Sequence, residues 1–451
     1  MAIITSNVTE IDTINKIKKL VFLVFMLIVF EAPLRKWVFP QYSNYLFFVR
    51  DPFILIIYFL ALKTTVYNRF SPVIYLGIAF SFLGGLHILY HLYYDTLPYV
   101  IFAYGWRNYF YTIPLAGIIG VVFTKQDIIK LVKLIFYISI PTFFLAYSQS
   151  ISPRSSWLNS GLGDESGFYT FAVNRDIIRP SGLFTSSFGQ GLFLTALFAF
   201  LISIYIDDEF IKYRISYKYF SIVLIFAVFS LVISGQRGTF IYIIYLFFSG
   251  SIISVFLHRN RTTRFIKLFL LITFLIITSS LLFPKHIAAN MNRIMNTRSH
   301  SQPNIVGYDL FERIIGNAMY FKYQFDLPIP ELGYGIGFGG NAAPKLINRE
   351  MFAKLRFEME DEWSRHIVEL GPVIGILFIA FRIFMCIFLG FESFHASIRQ
   401  NSTMPLLIFS SITALIFYVQ LTGNGLASGY VWFYVGITLS LCKTDNEIAN
   451  S

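Results

Sequence analysis

Residues 358–375 read Glu-Met-Glu-Asp-Glu-Trp-Ser-Arg-His-Ile-Val-Glu-Leu-Gly-Pro-Val-Ile-Gly. A crowded polar run passes directly into an apolar run that continues to residue 390. Roughly 17–25 predominantly apolar residues make one membrane-crossing helix. Just upstream, residues 333–340 are Gly-Tyr-Gly-Ile-Gly-Phe-Gly-Gly, a turn-forming stretch. Acids, bases and an aromatic at the mouth of a hydrocarbon-length helix indicate a lipid-embedded chain with a polar site at one surface.

The composition agrees. The chain has 451 residues, 56% hydrophobic and 14% charged, with 51 Phe and 28 Tyr. Soluble domains average about 25% charged residues. The class is therefore an all-α integral membrane protein. A β-barrel would alternate in segments of about ten residues, a pattern absent here. The net charge of +11 is read as topogenic, holding loops in the cytoplasm, and no nucleic-acid partner is expected. Cys386 and Cys442 both lie in apolar segments, so neither a thiolate metal site nor a disulfide framework is implied.

Outward from that helix, about twelve spans follow, near 19–34, 46–62, 72–92, 99–123, 128–148, 188–206, 217–234, 238–257, 265–283, 366–390, 404–420 and 428–442. The chain reads as one polytopic domain, 1–451, with polar loops at 149–187 and 284–365. Lys16, Lys18, Lys63, Arg69, Lys130, Lys133, Lys212, Arg214, Arg261 and Arg264 fall in the termini and loops of the opposite side. That asymmetry puts both termini in the cytoplasm and both polar loops outside. The first apolar run lacks a small-residue cleavage site and reads as a retained span. The large loop before the tenth span is expected to be partly helical. Leu310, Ile314, Phe321 and Phe325 share a face over 309–325, and Pro328 and Pro330 end the run.

No Walker loop and no His-Glu-x-x-His occurs, and Gly335-x-Gly337-x-Gly339 is not a dinucleotide fingerprint. Those glycines imply either a turn needing positive φ or a close backbone approach. Basic residues at outer helix ends carry more information. Arg179 precedes the sixth span, and Arg237 sits in Ser-Gly-Gln-Arg-Gly, a turn of about three residues that pins it to the surface. Such an arginine either bonds loop carbonyls or binds an anion, for which its fork suits phosphate. Arg313, Arg35, Lys36 and Arg107 could extend the patch. Around the tenth span, Glu362 lies one turn from Arg365 and His366. Glu369 falls inside the apolar run and should face the bundle interior with a partner such as Arg365. Glu360 and Glu362 are candidate general bases, because clustered like charges raise a carboxyl pKa. Trp363 and Tyr334 are aromatics of the same outer segment.

The order of these features is familiar. An arginine precedes a mid-chain span, a Ser-x-x-Arg-Gly turn follows, and then a large outer loop. That loop runs from Arg313 through Pro330 and Leu-Gly-Tyr-Gly-Ile-Gly to Glu-Leu-Gly-Pro-Val-Ile-Gly. The chain resembles the O-antigen polymerase and O-antigen ligase superfamily of bacterial membrane glycosyltransferases over roughly 175–390, with weaker likeness in Leu-Arg-Lys-Trp and Val-Arg-Asp-Pro near the N-terminus. The resemblance implies a multi-pass protein of the bacterial cytoplasmic (inner) membrane. It implies, as substrate, an undecaprenyl-diphosphate-linked oligosaccharide, used outside that membrane without metal or other cofactor. It places Arg179 and Arg237 on the diphosphate, with Arg313 as a further loop arginine. The family often carries His-Asn about nine residues before the Glu-x-Gly of this helix. Here that position is Glu360, and His366 is out of register, so the chain looks closer to exopolysaccharide polymerases than to lipid-A-core ligases.

The expected activity is polymerisation of lipid-linked glycan repeats. Glu360, Glu362 and Arg237 would be catalytic, and Arg179, Arg237, Arg313, Arg365 and His366 would bind substrate. The bilayer is the medium, and a chain-length regulator or another polysaccharide-assembly protein is a further partner. A ligase, which moves finished glycan to another acceptor, and a flippase for lipid-linked sugars are the alternatives.

Overall fold

In hydrocarbon every backbone N–H and C=O must be paired within the protein, and a helix does so inside its own segment. The computed structural model describes residues 2–94, 96–162, 172–174, 177–257, 259–286, 288, 329–340, 343 and 362–443. Its main elements are α1 (Ala2–Pro33), α2 (Asp51–Ala61), α3 (Pro72–Tyr93), α4 (Tyr99–Trp106), α5 (Ile113–Val122), α6 (Lys125–Ile151), α7 (Ser187–Asp207), α8 (Tyr217–Ile233), α9 (Arg237–Leu257), α10 (Arg259–Leu282), α11 (Glu362–Gln400), α12 (Met404–Phe417) and α13 (Gly425–Cys442). A short antiparallel pair, Ala172–Asn174 with Ile177–Ile178, is the sheet among the described residues.

Eight described helices are long and apolar enough to cross a membrane: Pro40–Ala61, Pro72–Tyr93, Lys125–Ile151, Ser187–Asp207, Gly238–Phe256, Arg261–Leu282, Glu362–Gln400 and Gly425–Cys442. Tyr217–Ile233 and Met404–Phe417 are shorter apolar helices beside them. Against the expectation of about twelve spans, the first lies within the long α1. The fourth is broken into α4, a π-helical turn (Arg107–Tyr111) and α5, whose first turn carries Pro114. Leu34–Val38, which follows α1, is the first π turn in chain order and Arg107–Tyr111 the second. Most of the loop 284–365, including the surface helix expected over 309–325, lies outside the described residues.

Helix α7 is buried along almost its whole length and forms the axis of the bundle. Small residues let helices approach where hydrocarbon provides no driving force for association. On α13, a methyl added at Gly436 would meet the Ala116 carbonyl of α5 at 2.8 Å. The helix ends gather at two poles. At one, Lys18 pairs with Asp127 at 2.9 Å and Arg261 with Asp207 at 3.4 Å. There too Arg399 donates to the Cys442 carbonyl at 2.6 Å. The other pole collects the π turns, the start of α7, the α8–α9 turn, the start of α11 and the α12–α13 connection. The candidate site lies at this second pole.

Candidate functional site

Lys36 stands on the first π turn and is buried, 8% exposed. Its ammonium donates to Ser181 Oγ at 3.1 Å and to the Phe184 carbonyl at 3.0 Å, which leaves one N–H for a further acceptor. The segment it reaches is held by Gln149, whose Oε1 accepts from the N–H groups of Ser181 (3.0 Å) and Gly182 (2.8 Å). Gly182 has φ +55°, a conformation glycine adopts without strain. Arg179, immediately upstream, donates through Nε to the Gly235 carbonyl at 2.9 Å. Gly235 lies in the turn that Arg237 closes as the first residue of α9. The fold thus brings Arg179 to the turn that carries Arg237, though the two are far apart in sequence. Lys36 and Arg179 line one pocket with Asn159, Ser181, Thr185 and Ser187.

Two cations rimmed by hydroxyls form an anion-binding constellation. Burial, with the Arg35 charge beside it, pushes the Lys36 ammonium down to about 8. Above that pH the folded protein holds Lys36 neutral while the unfolded chain still binds the proton, so stability rises as pH climbs from about 8 toward the ordinary lysine value of about 10.4. An anion in the pocket favours the charged form and reverses the trend. Affinity for inorganic pyrophosphate is therefore expected to fall as pH rises through 8. Calorimetry in two buffers of different ionisation enthalpy should show proton uptake on binding near that pH. A flat profile from pH 7 to 9.5 would remove Lys36 from the pocket's function.

The charged mouth of α11 is built differently. Glu362, Arg365, His366 and Glu369 are each at most 2% exposed. Glu362 Oε1 accepts from the N–H groups of Leu421 (3.0 Å) and Thr422 (2.6 Å) and from Thr422 Oγ1 (2.7 Å). Its Oε2 bonds Arg365, and Arg382 Nη1 stands 3.4 Å from Oε1. Arg382 also donates to the carbonyls of Ile416, Leu415 and Val419, and its Nη1 lies 2.7 Å from His366 Nε2. The guanidinium can only donate, so His366 Nε2 accepts and the proton of the neutral ring is on Nδ1. Tyr109, on the second π turn, lies 2.8 Å from that Nδ1 and donates to Glu369 Oε2 at 2.7 Å. Glu369 faces the interior as expected. Arg365 Nε stands 4.0 Å from it, farther than Tyr109.

The glycine-rich stretch completes this network. Pro372 has no N–H, and Gly371 at φ 80°, ψ 167° breaks the helix just before it. The carbonyls of Val368 and Glu369 accept instead from Tyr334 N (2.8 Å) and Gly335 N (3.0 Å), and Glu369 Oε1 accepts from Gly339 N at 2.7 Å. Gly333, Gly335 and Gly337 all have positive φ. A Cβ on Gly337 would lie 2.4 Å from the Ile101 carbonyl of α4. The stretch is a plug wedged between α4 and α11, and its close approach is to helices of its own chain. His87 and His91 of α3 hold its entry, both directing Nε2 at the Leu332 carbonyl, at 2.7 and 3.1 Å.

Of the expected site residues, Arg179 reaches both the turn that carries Arg237 and the pocket that Lys36 lines. Glu362, Arg365 and His366 meet one another inside a buried network of protein groups, in which Arg365 Nε is left without a hydrogen bond. Arg313 and Glu360 lie outside the described residues. Trp363 donates to the Phe417 carbonyl at 2.8 Å, and Tyr334 stacks on Phe338 at 5.3 Å, so both rings have partners within the fold. Tyr109 and Arg382 were not anticipated. Arg382 had a signal, since an arginine within an apolar run demands a buried partner. Tyr109 had none, because a π turn is set by its tertiary surroundings.

No family model, no curated protein and no solved structure matches the chain.

Proposed function

We propose that the protein is a polysaccharide polymerase of the bacterial cytoplasmic membrane that joins repeat units carried on a lipid diphosphate. One observation carries the reading: Lys36 and Arg179 line a hydroxyl-rimmed pocket at one pole of a bundle of apolar helices, and Arg179 bonds the turn that opens α9 at Arg237. A glycan on a membrane-anchored diphosphate presents its phosphates at that level. The sequence features described above, with their resemblance to the O-antigen polymerase and ligase superfamily, favour the same chemistry.

In this reading an acceptor sugar hydroxyl attacks the anomeric carbon of the lipid-linked glycan. The new C–O bond forms as the bond to diphosphate breaks, and the electron pair leaves on the phosphate oxygen. Lys36, Arg179 and Arg237 offset that charge as it develops. Diphosphate is a good leaving group, so the step needs no strong general acid. The hydroxyl proton passes to Glu360 in the outer loop. Glu362, with both oxygens engaged, holds the mouth of α11 instead of taking the proton.

Arg237→Ala and Arg179→Ala are each expected to lower polymer yield by about 10²–10³-fold in a null strain, as loss of one donor to a developing oxyanion does. The readout is polymer length and amount on gels, at matched protein level. Unchanged length and yield would sink the mechanism. Single repeat units left behind support a polymerase, whereas finished polymer stranded on its lipid carrier would mark a ligase.

A further inference from the structure

The same pole holds a second group of buried charges that glycosyl transfer at the Lys36 pocket does not use. Arg35, Arg50 and Arg107 are each at most 8% exposed. Arg35 is matched by Glu31, Nη1 to Oε1 at 2.7 Å, and donates to the Ser43 carbonyl at 2.9 Å. Arg107 forks onto Asp51, Nε to Oδ2 at 2.5 Å and Nη2 to Oδ1 at 3.0 Å. Those pairs engage Asp51 through both oxygens and Glu31 through Oε1, leaving Glu31 Oε2 without a hydrogen bond. Arg50, at 2% exposure, keeps a bond to the Gly425 carbonyl and stands 3.9 Å from Glu31 Oε2. Its Nε and Nη1 make no hydrogen bond, and neither does the amide nitrogen of Asn108, itself 1% exposed.

Three guanidinium groups against two carboxylates leave one positive charge in excess at a buried position, which is unfavourable unless another group balances it. Helix α13 packs against the group: Gly425 lies against Arg107, and Arg50 bonds the Gly425 carbonyl and lies beside Gly429. Arg50, Asp51, Arg107, Asn108, Thr112 and Ser428 line a narrow pocket here. Arg107 and Asn108 stand on the second π turn, and such widened turns recur at functional sites.

We propose that this pocket is an oxyanion subsite. Arg50 and the Asn108 amide donate to a phosphate or carboxylate oxygen, and that group supplies the balancing negative charge. The pocket is too narrow for a sugar ring, and a terminal oxyanion enters it as the Arg50 and Asn108 side chains part. The identity of the anion rests on the reading above: it is either a phosphate of the lipid carrier or the carboxylate of an acidic sugar in the glycan. The subsite adjoins the α11 network through the α12–α13 connection, since Thr422 bonds Glu362 and Gly425 bonds Arg50.

The test uses the purified full-length protein in detergent, titrated with inorganic pyrophosphate or with glucuronate at constant ionic strength set by chloride. A saturable rise in Tm is expected with one of the two, and which one names the source. Arg50→Lys, which keeps the charge but loses Nε, should weaken the response by about tenfold or more. Asn108→Asp is nearly isosteric and supplies the missing charge itself. It should raise Tm without added anion and abolish the response. Arg179→Ala, at the other pocket, should leave the response intact. A wild-type protein that responds only to chloride, or a response that survives in Asn108→Asp, overturns the proposal. If Arg237→Ala leaves polymer unchanged while this response stands, the enzyme reading fails and the subsite does not.

Discussion

Glu362→Ala is expected to remove most of the folded protein, lowering stability by roughly 3–5 kcal/mol, the range for stranding one partner of a buried ion pair. The carboxylate answers two guanidinium groups, those of Arg365 and Arg382, both at most 2% exposed. It is also the acceptor for the N–H groups of Leu421 and Thr422. Deleting it leaves two buried cations and two buried donors with no replacement in hydrocarbon, where each orphaned polar group is costly. The measurement is the monodisperse yield and Tm in detergent. Glu362→Gln separates structure from chemistry: it keeps the amide oxygen for Thr422 but loses the charge, so its Tm should fall well below that of the parent. If Glu362→Gln instead folds like the parent and fails only in turnover, the carboxylate is a base and its burial has been misread.

Gly371→Ala is expected to expel the glycine plug. At φ 80° an L side chain is strained by about 1–3 kcal/mol before any contact is counted. The added methyl would also fall 2.0 Å from the Glu331 carbonyl and 2.9 Å from Gly333 N. Backbone lies on both sides, so no side-chain rotation relieves the clash. Once the plug moves, the carbonyls of Val368 and Glu369 lose Tyr334 and Gly335 as donors. Ile336 is fully buried. In a background with Cys386 and Cys442 changed to Ser, Ile336→Cys should resist a membrane-impermeant maleimide. It should be labelled once Gly371→Ala is added. Equal protection with and without Gly371→Ala would show that the plug does not depend on this kink.

The apolar helices were legible in the sequence because hydrocarbon imposes a length and a composition that few other environments would tolerate. The place of Arg237 in a tight turn was legible for a related reason: only about three residues connect two long apolar runs. The bond from Arg179 to that turn had no local signal. Glu369 was placed inward by the energetic penalty of lipid exposure alone. Glu362 was read as a candidate base, and the structure shows its carboxylate already engaged: Arg382, 20 residues downstream in the numbering, stands 3.4 Å from its Oε1, a contact with no local signal. The glycines were read as a turn needing positive φ or as a close backbone approach, but nothing local says that their backbone will replace the hydrogen bonds Pro372 forfeits. Both π turns were invisible, yet they carry Arg35, Lys36, Arg107 and Tyr109. Their extra width depends on which partners the buried cations find across the bundle.

The plug has a consequence for how this protein can be altered. Ala343, fully buried beside Phe102 and Phe338, and Glu362, equally buried, fix the two ends of the intervening stretch 344–361 on the same helical frame. Loop-closure entropy grows only logarithmically, so doubling the number of residues between two such fixed points costs only about 0.6 kcal/mol. A change in chain length between Ala343 and Glu362 is therefore one that the packing at these two anchors can absorb.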